Sequence, residues 1–180
     1  MTDKPIHFHE PMRLTEYDYW SPGAYFITAC TFDRAFLFGE VRDGVLFLND
    51  LGRLIHETWD WLGHHYPLVS TQEHVVMPNH FHGIILIQEA GSRGSRAAST
   101  DSSEESPSLI RLVNAFKTVS AKRINSIRGT PGVPVWQRGF YDHIVRNELD
   151  LNRVREYIRA NPLQWSVDEE NPENLPRSVS

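Results

Sequence analysis

The sequence predicts an α+β domain, with one mainly antiparallel sheet and helices packed on it. Three observations carry that expectation. Strand-length runs of aromatic and β-branched residues alternate with stretches of helical apolar spacing. A small, polar, aperiodic segment, residues 90–108, connects two halves that each look incomplete alone. The 180 residues also suffice for one full hydrophobic core, not comfortably for two. The expectation is therefore one domain over residues 1–180, with a flexible internal loop and mobile termini at 1–11 and 167–180.

Taken in order, Ala24 to Thr31 follows Ser-Pro-Gly and reads as a first strand. Phe36–Phe38 and Val45–Leu48 flank the turn signal Asp43-Gly44 and predict a short hairpin. Asn49 or Asp50 caps a helix to about His65, with Leu51, Leu54, Ile55, Trp59 and Leu62 at helical spacing. Two strands follow, Leu68–Val76 and Phe81–Gln88. Beyond the loop, Leu109 to Ile127 resumes helical spacing at Leu112, Val113, Phe116, Val119 and Ile124, and Gly-Thr-Pro-Gly-Val-Pro (129–134) ends it. Phe140–Val145 reads as a last strand, and Asn147 or Glu148 opens a final helix to about Ala160, stopped before Pro162. Leaving out the hairpin, this is the ferredoxin-like (RRM-like) βαββαβ plan with an added C-terminal helix.

The chemistry concentrates in Val75 to Ile87, where His80 and His82 open an apolar run. Strand side chains alternate faces, so both imidazoles point one way and Phe81 the other. Two converging imidazoles can hold one metal ion, or can be polar residues bordering a core. Pro78 lacks an amide donor and predicts a break just before the pair. On the last helix Tyr157 and Asn161 are four apart and share a face, which brings a phenol and an amide oxygen together. His7-Phe8-His9 repeats the histidine spacing in a proline-flanked terminus expected to be mobile, and His64-His65 suits the negative end of a helix dipole without further function.

Charge is uneven along the chain. The net charge is −5, but residues 1–90 carry 5 Lys+Arg against 12 Asp+Glu, and residues 108–160 carry 10 against 4. A basic half on an acidic chain is a local field of the kind a phosphate backbone feels, although a solvated helix surface has the same composition. Lys117, Lys122, Arg123 and Arg128, with Arg138, are placed to track phosphates; Trp136, Phe140 and Tyr141 can stack unpaired bases, and His143 can contact phosphate. Trp136 reads equally well as a core anchor. Cys30 is the only cysteine, which excludes an intrachain disulfide. Residues 1–12 lack the apolar core of a signal peptide, and no run approaches the ~18 apolar residues of a membrane span, so the expected location is the cytoplasm.

Four ordered segments carry a family resemblance: Tyr25-Phe26-Ile27-Thr28, Val75 to Gly83, Trp136-Gln137-Arg138-Gly139-Phe140-Tyr141-Asp142-His143, and Tyr157-Ile158-Arg159-Ala160-Asn161-Pro162. Together they resemble the REP-associated tyrosine transposases, relatives of the single-tyrosine HUH transposases, over about residues 12–166. The resemblance implies that His80 and His82 are metal ligands, Tyr157 the nucleophile and Asn161 a further ligand. Insertion-sequence relatives commonly have glutamine at that last position, one methylene longer. Tyr141, beside His143, is the rival nucleophile.

The implied activity is that of a tyrosine endonuclease and strand transferase acting on single-stranded DNA, at palindromic hairpins, through a covalent 5′-phosphotyrosine. The implied cofactor is a divalent cation, Mg or Mn, of which Mn better suits mixed nitrogen and oxygen ligands. The implied state is a monomer, with a dimer as the other arrangement among relatives. A non-catalytic single-strand nucleic-acid binding protein descended from such an enzyme is the alternative, and a metal hydrolase using activated water a third reading. The acidic run Asp168, Glu169, Glu170 and Glu173 follows Trp165 where many relatives carry additional DNA-binding residues.

Overall fold

A computed structural model describes residues 18–89 and 107–174. The expected loop therefore lies almost wholly outside the described residues, as do the expected mobile N-terminus with His7 and His9 and the last six residues. Among the described residues, six strands and three α-helices run in the order β1 (Gly23–Cys30), β2 (Gly39–Arg42), β3 (Val45–Leu48), α1 (Asp50–His65), β4 (Val69–Val76), β5 (His80–Ile87), α2 (Leu109–Arg128), β6 (Tyr141–Val145) and α3 (Glu148–Gln164). The main sheet has the order β4-β5-β1-β6 and every neighbouring pair is antiparallel, while β2 and β3 form a separate ribbon. The α+β ferredoxin-like plan with an inserted hairpin and a tyrosine-bearing last helix is thus the fold of the chain.

Strand register sorts the side chains onto two faces. Tyr25, Ile27, Phe81 and Ile85 point to the face covered by α1 and α2, where Trp59, Phe116 and Trp136 complete the main core. Gly83 sits on that face because Trp59 leaves no room: an added Cβ would lie 2.6 Å from the indole. The opposite face carries Phe26, Thr28, Cys30, His80, His82 and Ile84. There α3 lies on a much smaller apolar cluster, Phe26 and Ile84 against Val154 and Ile158. Side-chain oxygens cap all three helices: Asn49 accepts from the Gly52 N–H, Ser108 from Arg111 and Asn147 from Asp150.

Three expectations are corrected. The first hairpin strand is Gly39–Arg42 rather than Phe36–Phe38. Asp43 and Gly44 both take positive φ (51° and 73°), the two-residue turn that pairs Arg42 with Val45. Phe38 is instead fully buried against Trp136, with its N–H donating to the Pro78 carbonyl. Second, α3 runs through Pro162 to Gln164. The proline falls in the last turn, where one missing N–H removes a single bond, and Ile158 and Asn161 anchor that turn in the interior. Third, residues 168–171, within the stretch expected to be mobile, fold back onto the protein, and Asp168, Glu170 and Asn171 are buried.

Candidate active site

His80 and His82 are both fully buried on the α3 face of the central strand β5. Their ring centroids are 4.6 Å apart. Each is oriented through Nδ1. Thr28, directly opposite His82 on β1, places Oγ1 2.8 Å from His82 Nδ1. Asn79 places Oδ1 2.9 Å from His80 Nδ1. The Asn79 amide nitrogen donates to the carbonyls of Glu170 (2.7 Å) and Arg34 (3.3 Å), so its oxygen must be the atom facing the imidazole. Neutral His80 then carries its proton on Nδ1 and its lone pair on Nε2.

Tyr157 reaches the same place from α3. Its ring centroid is 5.2 Å from that of His82 and 5.9 Å, edge-on, from that of Phe26, which itself stacks on His82 at 5.3 Å. Asn161, one turn on and 1 % exposed, is hydrogen-bonded to the phenol. Burial above all, and then the Asp168 carboxylate, push the Tyr157 phenol well above its ordinary pKa; Asn161 pulls it back, and Glu170 and Glu169 add to the rise. Those acids belong to the folded-back segment. Glu170 ion-pairs with Arg34 at 2.5 Å, and Trp165 lies 6.0 Å from His80.

A divalent cation fits the donor set. Both histidines have their Nδ1 atoms engaged by oxygens, the arrangement in which an imidazole ligates through Nε2. The buried Asn161 Oδ1 has no hydrogen-bond partner among the described residues and is the neutral oxygen such a site would use. Among the described residues no group of three His, Cys, Asp or Glu side chains is arranged to hold an ion; the donors on this face that suit one are two imidazole nitrogens and an amide oxygen. Open positions are what a cation contacting a substrate oxygen needs.

The residues expected to bind nucleic acid are scattered. Lys117, Lys122, Arg123 and Arg128 lie on α2, across the sheet from the histidines. Lys117 is spent inside the fold: Nζ donates to the carbonyls of Gln137 (2.7 Å) and Gly139 (2.5 Å), and burial depresses its pKa. Arg123 bonds Glu57 Oε2 (2.6 Å) and Thr58 Oγ1 (3.1 Å). Trp136 is the core anchor of its two readings, 7 % exposed with its indole N–H on Ser120 Oγ, and Phe140 packs on the same core. Tyr141, opposite Thr28, shares the histidine face, and the face also holds His143, which bonds the Asp150 carboxylate at 3.0 Å. Lys122, Arg128 and Arg138 are exposed. A groove of about 930 Å³ runs between α2 and residues 129–136, remote from the imidazoles. Sequence reading did not single out Asn79 and Thr28 as orienting groups, although both lie inside the quoted segments.

A ferredoxin-like sheet with a histidine pair beneath a tyrosine-bearing helix defines the class of fold. The structure of a REP-associated tyrosine transposase bound to a REP hairpin aligns with a TM-score of 0.54 at 21 % identity, over 87 % of this chain and 77 % of that one, and shares this fold. A candidate transposase from Deinococcus radiodurans aligns over 80 % of this chain and 92 % of that one at 14 % identity and a TM-score of 0.47, too distant to carry an argument. No family model matches the chain. An uncharacterized protein of Haemophilus influenzae is 35 % identical over 173 residues, 91 % of this chain and 93 % of that protein. The chain belongs to one family with the Haemophilus influenzae protein.

Proposed function

We propose that the protein is a metal-dependent tyrosine endonuclease and strand transferase that cleaves single-stranded DNA beside palindromic hairpins. The reading rests on one observation above the rest: Tyr157 and the oriented pair His80 and His82 meet on one buried face, with rings 5.2 Å and 4.6 Å apart. The shared fold with a transposase whose structure holds a REP hairpin supports DNA as the substrate class.

In the reaction the Tyr157 oxygen bonds to phosphorus, the bond from phosphorus to the 3′ oxygen breaks, and the phenol proton is lost to solvent as the 3′ oxygen gains one. The product is a 5′-phosphotyrosine and a 3′ hydroxyl, and reversal onto a different 3′ hydroxyl transfers the strand without ATP. His80, His82 and Asn161 would hold a divalent cation, Mg or Mn, which polarises the scissile phosphate when bound. Thr28 and Asn79 fix the two imidazole planes. Phe26 and Trp165 flank them and limit access of water. Tyr141 is on the same face, but Tyr157 is the phenol whose ring packs against His82.

The protein is read as a cytoplasmic monomer; no helix among the described residues is long and apolar enough to cross a membrane. Labelled single strands with a hairpin, incubated with the full chain and Mn, test the reading. A covalent protein–DNA adduct that disappears in Tyr157→Phe is expected. Salt-sensitive binding without any adduct would instead identify a non-catalytic binding protein, and hydrolysed ends without an adduct a metal hydrolase.

A further inference from the structure

The tyrosine helix has a thin apolar hold on the sheet. Val154 and Ile158 of α3 are buried with Phe26 and Ile84, and Leu151 and Tyr157 pack partly buried against them, while Leu149 and Leu163 are exposed. A second attachment lies at its flank. Arg155 and Arg159, four apart and therefore stacked on one side of the helix, both reach Glu73 on β4. Arg155 Nε is 3.0 Å and Arg159 Nη2 3.2 Å from the same carboxylate oxygen, and Arg155 also lies 3.6 Å from Glu148. At 3.6 residues per turn, Tyr157 sits about half a turn round from these two arginines. Two tethers one turn apart on one flank fix the roll of a helix, and its roll decides where the far flank points.

We propose that Glu73 is a positioning residue that holds the roll of α3 so that Tyr157 faces His82; the inference rests on the tyrosine reading given above. The strand is built for it. The β4–β5 register shifts between Thr71 and His74, and an irregularity of this kind re-aims a side chain. With Val75 directly opposite His82, Glu73 lies on the α3 face two residues away. Burial works against its charge, but a hydrogen bond from its own backbone N–H and the two guanidinium groups outweigh burial and keep the carboxyl below its ordinary pKa. At 29 % exposure the carboxylate is shielded on one side, and Arg155, at 25 %, is the better shielded of its two partners.

The test compares wild type, Glu73→Gln, Glu73→Asp and Arg159→Gln as full chains with saturating hairpin DNA and Mn. Three quantities are read: the single-turnover rate of adduct formation, the DNA Kd, and hydrogen exchange along residues 148–164. Glu73→Gln is expected to slow adduct formation by about tenfold or more, because a small misplacement of a nucleophile is costly, while the Kd stays within about twofold. Glu73→Asp restores much of the rate, and α3 alone exchanges faster in the glutamine variant. Should Glu73→Gln fail to fold, Arg159→Gln, which removes the more exposed tether, must show the same split between rate and Kd. Wild-type rate with unchanged α3 exchange overturns the proposal, as does a rate loss matched by faster exchange of the whole sheet. If wild type forms no Tyr157 adduct, the functional reading fails and the exchange pattern decides alone: faster exchange confined to α3 supports the clamp and no change refutes it.

Discussion

Replacing Asn79 with alanine separates the orientation of the site from its ligands. Asn79 is fully buried and makes three side-chain bonds: two from Nδ2, to the Glu170 and Arg34 carbonyls, and one at Oδ1, to His80 Nδ1. Truncation strips the buried Glu170 carbonyl, the part-buried Arg34 carbonyl and one imidazole nitrogen of their partner. At about 1 kcal/mol net per ordinary bond, and up to about 3 kcal/mol for a group left buried and unsatisfied, the expected loss of stability is about 2–4 kcal/mol. For a chain of this length that is a fall in Tm of about 4–16 °C. The variant keeps all three candidate ligands, His80, His82 and Asn161. Its loss of Mn affinity should therefore be that of a removed outer partner, about 10–100-fold. Calorimetric Mn titration at a temperature where both proteins are folded reads the affinity, and thermal unfolding with and without Mn reads the linkage. A folded Asn79→Ala that binds Mn as tightly as wild type would refute the claim that Asn79 sets the His80 tautomer for a metal.

Other expectations concern different parts of the molecule. Cys30, 5 % exposed and with its thiol pushed up by burial and then by the Glu170 carboxylate, should react with a thiol reagent only on unfolding, so labelling should track global unfolding. The depressed Glu73 carboxyl contributes stability that is present above its unfolded pKa and is lost as pH falls through the lower folded value; acid unfolding of Glu73→Gln should lack that contribution, seen as a flatter Tm profile below about pH 5. Phe81→Ala empties a fully buried site between Trp59 and Phe116 and should cost about 3–5 kcal/mol in denaturant unfolding. Lys117→Ala should expose the 137–139 backbone to proteolysis more than it weakens DNA binding, since Nζ is already spent on that loop.

Much of the site was legible because it is local. The spacing of His80 and His82 fixed a shared face, the spacing of Tyr157 and Asn161 fixed a shared helix flank, and the structure brings the two pairs to one face of the sheet. What sequence could not supply is long-range. Thr28 orients His82 only through a strand pairing across 54 residues, and Arg123 is taken by Glu57 66 residues away. Whether the basic helix lands on the histidine side of the sheet is decided by handedness and packing, so the α2 cations could be read as charge but not as a location. The stretch from residue 167 onward reads as a mobile terminus, yet Asn79 binds the Glu170 carbonyl and Arg34 its carboxylate, and those contacts hold the segment down. Pro162 looked like a stop because local propensity favours one, and interior anchoring of Ile158 and Asn161 overrode it.

The most direct measurement is the site of attachment. Adducts formed on a 3′-labelled hairpin strand with Mn, digested and sequenced by mass spectrometry, should carry the phosphonucleotide on the peptide containing Tyr157, attached through its oxygen and absent when either His80 or His82 is replaced by alanine. Attachment at Tyr141, or cleavage that persists without either imidazole, would contradict the account.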